Sequence, residues 1–125
     1  MTTHYHLIVE VEDGVLPAGM QSLNFRYALG FNRRYAMKGH VHGARYDARR
    51  IEGESDLLST FGYVAWNPVK AALCDTPSMW PWSSYGGTVG TREPSSFVAD
   101  GRILGCFSEC REIAAAQLRT FVEES

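Results

Sequence analysis

Residues 4–11, His4-Tyr5-His6-Leu7-Ile8-Val9-Glu10-Val11, combine β-branched and aromatic side chains with polar residues at positions 4, 6 and 10. Polar groups in period two belong on one face of a strand, so Tyr5 and Leu7 face the other way, into a core. Glu12-Asp13-Gly14 ends that strand with turn chemistry. After Pro17 the period changes: Met20, Leu23, Tyr27 and Phe31 recur three and four apart, which predicts a helix over residues 18–35. Gly39 and Gly43, then the alternation around Tyr46 and Ala48, predict a turn and a second strand over 44–51. A second helix opens at Ser55-Asp56-Leu57-Leu58 with Ser55 or Glu54 near the cap, carries Leu57, Leu58, Phe61, Val64 and Ala65 on its apolar side, and runs to Asn67. Pro68 lacks a backbone donor and disfavours helical geometry before it, so the chain bends there into a short turn over 69–73. Trp80-Pro81-Trp82-Ser83-Ser84-Tyr85 packs back on the domain, residues 86–96 read as a loop, and 103–107 and 109–124 read as a short and a long helix.

A chain of 125 residues, 45% hydrophobic and 12% aromatic, has material for one core, which excludes wholesale disorder. No apolar run approaches the roughly 18 residues of a membrane span, and the N-terminus lacks the basic-then-apolar layout of a signal peptide. The expected compartment is the cytoplasm. Three cysteines, Cys74, Cys106 and Cys110, do not make a disulfide framework and are expected as reduced thiols.

The net charge of −2 conceals an asymmetry. Residues 26–50 hold seven of the twelve basic side chains, Arg26, Arg33, Arg34, Lys38, Arg45, Arg49 and Arg50, against the single acid Asp47. A footprint for a polyanion is therefore local. Arginines fork onto phosphates and aromatic faces accept unstacked bases, which a single strand needs. Tyr27 and Phe31 sit at core spacing and are read as packing residues, leaving the arginines and His40 for binding. A solvated basic helix and turn is the alternative.

Two further constellations could carry chemistry. His4 and His6, one residue apart on a strand, share a face about 6 to 7 Å apart, which suits two imidazoles converging on one divalent cation or two solvated side chains. Tyr63 and Asn67, at i and i+4, share a helix face with Cβ atoms roughly 6 Å apart. They could be a nucleophile and a third ligand, or a half-buried tyrosine and a helix-ending asparagine. Cys106 and Cys110 have no histidine at finger spacing, and neither a phosphate-binding glycine loop nor a Gly-x-Ser-x-Gly elbow occurs.

In order, these pieces resemble the HUH single-tyrosine transposases of the insertion-sequence kind, and most closely their relatives, the REP-associated tyrosine transposases. The likeness rests on the His-x-His strand followed by Leu-Ile-Val-Glu, on Met20-Gln21-Ser22-Leu23-Asn24-Phe25-Arg26-Tyr27 through Phe31-Asn32-Arg33-Arg34, Gly39-His40 and Arg45-Tyr46, and on Tyr63-Val64-Ala65-Trp66-Asn67-Pro68-Val69-Lys70-Ala71 with Trp80-Pro81-Trp82-Ser83-Ser84-Tyr85. It covers about residues 3–90. It implies an α+β, ferredoxin-like fold, an antiparallel sheet with helices on one side, in a domain over residues 1–90 followed by a loop and C-terminal helical extension over 91–125.

The resemblance further implies a metal-dependent single-strand DNA transesterase. His4, His6 and Asn67 fall on the ligands of Mg²⁺ or Mn²⁺, Tyr63 falls on the nucleophile that leaves a 5′-phosphotyrosine and a free 3′-hydroxyl, and hairpin DNA is the expected substrate. Arg26, Arg33, Arg34, His40, Arg45 and Arg49 are the expected DNA-binding residues. Family members carry a strand, a helix and part of a second strand before the His-x-His strand, whereas three residues precede His4 here. The expected domain thus lacks its first strand and helix, leaves a sheet edge open, and pairs as a homodimer. Two alternatives to the enzyme are a non-catalytic binder of hairpin or single-stranded nucleic acid, acting through residues 26–50, and a folded remnant with no nucleic-acid role.

Overall fold

The computed structural model describes residues 1–124, and among them helices and turns are the only regular elements. Helix α1 spans Leu16–Arg34, α2 Gly53–Lys70, α3 Tyr85–Thr88, α4 Gly101–Gly105 and α5 Arg111–Glu123, with a 3-10 turn at Pro77–Met79 between α2 and α3. The expected α+β, ferredoxin-like sheet is therefore overturned. Neither residues 4–11 nor residues 44–51 join a ladder of backbone hydrogen bonds. Two short isolated segments do not supply the three or more strands, or the covering helix, that hold a sheet together in water. Tyr5 and Leu7, expected in a core, are 44% and 50% exposed.

The chain divides into two compact units. One comprises Met1–Leu7 and the chain from Ile51 onward, and the other Ile8–Arg50. In the first unit, Ala65 of α2, Tyr85 and Val89, Ile103 and Leu104 of α4, and Ala114, Ala115, Leu118 and Val122 of α5 form the core. Leu57, Leu58, Phe61 and Trp66 pack on it from α2. Of the expected α2 stripe, Leu57, Leu58, Phe61 and Ala65 face this core, while the core includes Trp66 and not Val64. Trp66 Nε1 donates to the Val122 carbonyl at 2.7 Å, and the Tyr85 hydroxyl donates to Glu123 Oε1 at 3.2 Å, so α5 is fastened at its C-terminal end by two side chains. Burial, then the Glu123 carboxylate, push the Tyr85 phenol above its ordinary range, and it stays a neutral donor.

Helix α2 begins at Gly53, whose φ of 81° few other residues adopt at low cost. The Asp56 carboxylate reaches back to accept from the Glu52 N–H at 2.8 Å. Contrary to expectation, α2 continues through Pro68 to Lys70. The proline forfeits one bond near the end of the helix, where its ring is buried, and Ala72 at φ 56° closes the helix by giving its N–H to Val69 while Leu73 gives its own to Pro68.

The 86–96 loop also departs from expectation, because its first residues belong to α3. Gly86 and Gly87 admit a close neighbour: a Cβ on Gly87 would lie 2.9 Å from Pro94 Cα. Arg92 then reaches across to the carbonyls of Ser78 at 2.9 Å and Trp80 at 3.3 Å. Trp82, expected to pack, is 81% exposed. All three cysteines are free.

Asp100 receives both Arg111 guanidinium nitrogens, at 2.9 and 2.8 Å, tying the start of α4 to the start of α5. Those hydrogen bonds chiefly hold the Asp100 carboxyl below its ordinary value. A depressed carboxylate stabilises the fold above its unfolded pKa of about 3.9 and loses that contribution as pH falls through the folded value. Thermal scans are accordingly expected to show a fall in Tm below about pH 4 that is shallower in Asp100→Asn; equal acid slopes in both proteins would refute the assignment.

In the second unit, Met20 alone is buried among the described residues. Helix α1 forms as the sequence spacing predicts, with Tyr27, Phe31 and Tyr35 in a ladder of centroid separations 6.2 and 4.7 Å. Tyr27 and Tyr35 remain more than half exposed, so the packing role read for Tyr27 is confined to ring contacts with Phe31 and His42.

Candidate active site

Helix periodicity sets the first half of the site. Tyr63 lies on α2 on the side away from the core, 54% exposed, with Asn67 one turn later and Lys70 two turns later along the same stripe. Asn67 Nδ2 donates to the Tyr63 carbonyl at 3.1 Å. That bond fixes the amide against the helix and leaves Oδ1 as its acceptor. The Lys70 ammonium lies 5.0 Å from the centroid of the Tyr63 ring.

The second half comes from the N-terminal segment, which belongs to the same unit as α2. The His4 and His6 ring centroids are 5.0 Å apart at an interplanar angle of 83°, and the His6 ring meets the Tyr63 ring edge to face at 6.2 Å and 81°. Residues 57 positions apart in sequence are thereby neighbours. His4 Nδ1 shares a hydrogen bond of 3.1 Å with the Thr3 hydroxyl, which leaves Nε2 as its other ring nitrogen. Burial, then the His4 ring and the N-terminal ammonium, lower the His6 pKa from its ordinary value. A lowered value keeps the imidazole neutral, with a lone pair to give, further into the acid range.

A scan against models of protein families, a search of curated proteins and a search of solved structures each find no match to this chain.

The donor set can be tested against a metal. Two imidazoles bound side by side to one ion at roughly 2.1 Å place their ring centroids about 4.5 to 5 Å apart, and the His4–His6 pair has that separation. No group of three or more His, Cys, Asp or Glu side chains able to hold a metal occurs among the described residues, so an ion on His4 and His6 would need its third donor from another residue type, of which the Asn67 amide oxygen is the expected one. Two nitrogens and one neutral oxygen suit Mn²⁺ better than Mg²⁺, which prefers oxygen throughout.

The expected DNA-binding residues Arg26, Arg33, Arg34, His40, Arg45 and Arg49 all lie in the second unit, and all are exposed. Arg33 and Arg34 occupy the last turn of α1, where cations also favour the helix dipole, and Arg34 lies 5.7 Å from the Tyr35 ring centroid. Asn32 Nδ2 donates to the Gly39 carbonyl at 3.0 Å, which shapes the turn that presents His40. Lys70 was not singled out from the sequence, although its seven-residue spacing from Tyr63 already put it on the same stripe of α2.

Proposed function

We propose that the chain is a metal-dependent single-strand DNA transesterase related to the HUH single-tyrosine transposases, with Tyr63 as nucleophile. The observation that carries this reading is the meeting of the His6 and Tyr63 rings at 6.2 Å, with His4 beside them. A phenol set next to two imidazoles has no evident role in packing, because Tyr63 faces away from the core.

His4, His6 and Asn67 would hold the ion, and the ion would supply Lewis-acid polarisation of a phosphate oxygen and neutralise its charge. The Tyr63 oxygen attacks phosphorus in line as the phenol proton passes to solvent. A bond from that oxygen to phosphorus forms and the bond from phosphorus to the 3′-oxygen breaks. The leaving 3′-oxygen takes a proton from water, giving a 5′-phosphotyrosine and a free 3′-hydroxyl. One phosphoester replaces another, so no external energy source is needed. The exposed arginines of residues 26–50 supply the phosphate contacts that hold a single strand or hairpin. The exposed apolar side chains Tyr5, Leu7, Val9 and Val11 support the expected homodimer, and the cytoplasm is the proposed compartment. No described helix is long and apolar enough to cross a membrane.

Incubation with Mn²⁺ and a hairpin library with randomised single-stranded flanks is expected to yield a protein–DNA adduct that survives denaturing electrophoresis, and EDTA is expected to abolish it. DNA binding without any adduct would replace the enzyme by the second reading, a non-catalytic binder of structured nucleic acid. The exposed arginines favour that reading independently of Tyr63.

A further inference from the structure

We infer that Lys70 is the phosphate-binding cation of the Tyr63 site, and that it grips a non-bridging oxygen of the phosphodiester Tyr63 attacks. The inference rests on the reading of Tyr63 as nucleophile and adds a residue and a ligand contact to it. Its basis is geometric. Tyr63, Asn67 and Lys70 lie on one stripe of α2, and the Lys70 ammonium is 5.0 Å from the Tyr63 ring centroid. Lys70 is exposed and makes no ion pair with a carboxylate among the described residues, so its charge is not spent within the fold. The nearest partners known at the site are a phenol ring and, beyond it, the His6 and His4 rings.

Bringing a phenolate to a phosphodiester sets two anions against each other; the neutral imidazoles carry no charge to offset this, and a cation on the phenol side relieves repulsion there in addition to what an ion on the imidazoles would neutralise. A primary ammonium is such a cation. It is a compact point charge with three donors on a four-carbon stem, able to swing from the ring face to the hydroxyl rim while keeping contact with the ring. Charge-assisted N–H···O bonds to phosphate are among the stronger hydrogen bonds, and this one is made without breaking another ion pair. Lys70 also sits in the last turn of α2, where a cation favours the helix dipole. A purely structural lysine would have that role alone, and the test separates the two.

The experiment uses the full chain with 4-fluorophenylalanine in place of Tyr63, free of metal and DNA, and follows the fluorine resonance while diethyl phosphate is added. With Lys70 present a saturable shift is expected. Lys70→Gln is expected to weaken the dissociation constant for diethyl phosphate at least fivefold, and Lys70→Arg to retain it within about twofold, while circular dichroism shows the same helix content in all three. An equal response in Lys70→Gln, or no response with Lys70 present, overturns the inference. Because no chemistry is required, the outcome is independent of the adduct assay. A protein that forms adduct but ignores diethyl phosphate refutes Lys70 alone, and one that binds diethyl phosphate through Lys70 yet never forms adduct refutes the transesterase.

Discussion

Tyr63→Phe is expected to abolish the protein–DNA adduct completely, while His4→Ala and His6→Ala lower its rate of formation by about a hundredfold or more. The asymmetry follows from what each change removes. Phenylalanine keeps the ring that contacts His6 and Lys70 and deletes only the oxygen that must bond to phosphorus, so folding, metal binding and DNA affinity should be retained. The histidine variants keep the nucleophile and remove one of two nitrogen donors. Their effect can be read without DNA. A ligand that binds only the native state stabilises it by RT ln(1 + [L]/Kd), so Mn²⁺ at a hundred times its Kd raises stability by about 2.7 kcal/mol. That gain should appear in the wild type and in Tyr63→Phe and vanish in His4→Ala and His6→Ala. An adduct that persists in Tyr63→Phe would place the nucleophile elsewhere. A Tm gain from Mn²⁺ that persists in both histidine variants would remove the metal from this site.

The helices were legible in the sequence because their signal is local. Met20, Leu23, Tyr27 and Phe31 repeat with the period of one helix face, and Leu57, Leu58, Phe61 and Ala65 do so again, whatever else the chain does. The sheet was misread because strand formation is not local. The alternation in residues 4–11 specifies which side chains share a face, but whether those backbone groups join a ladder depends on a neighbour that the segment itself does not encode. Pro68 misled for a related reason: its penalty is read from the missing N–H, while burial of its ring in the last turn of α2 can only be seen once packing is known. Gly86 and Gly87 carry loop chemistry in any local reading, yet their lack of side chains is what lets Pro94 and Arg92 approach α3.

Site residues on a single helix were equally readable. Tyr63 and Asn67 fall on one face by spacing alone, and Lys70 follows by the same rule. The approach of His6 to Tyr63 is a tertiary fact that no periodicity contains: their ring centroids stand 6.2 Å apart although the sheet expected to hold the histidines is absent. With residues 4–11 in no ladder, the histidines rest instead on an exposed N-terminal segment.

Leu118→Ala is expected to destabilise the first unit by about 2 to 5 kcal/mol, lowering its Tm by on the order of 10 °C. Leu118 is 0% exposed and shares the core with Ala114 and Ala115 of its own helix, Val122 one turn on, and residues of α2, α3 and α4. The other buried residues that α5 and α2 give to that core, Ala65, Ala114, Ala115 and Val122, are small, so truncating Leu118 leaves a void they cannot fill. On the same helix Ile113 is 52% exposed, and Ile113→Ala should cost less than about 1 kcal/mol. Equal losses in the two variants would show that α5 does not bury the face assigned to it. The same helix receives the Trp66 bond at Val122, and Trp66 stands one residue from Asn67 and three from Tyr63 on α2. That bond is to the Val122 backbone and survives the truncation, so well below its lowered Tm Leu118→Ala should form adduct at close to the wild-type rate: Leu118 is fully buried whereas Tyr63 is 54% exposed. A hundredfold loss in His6→Ala beside near-normal rates in this less stable protein cannot be charged to instability, and the rate defect then belongs to the imidazole.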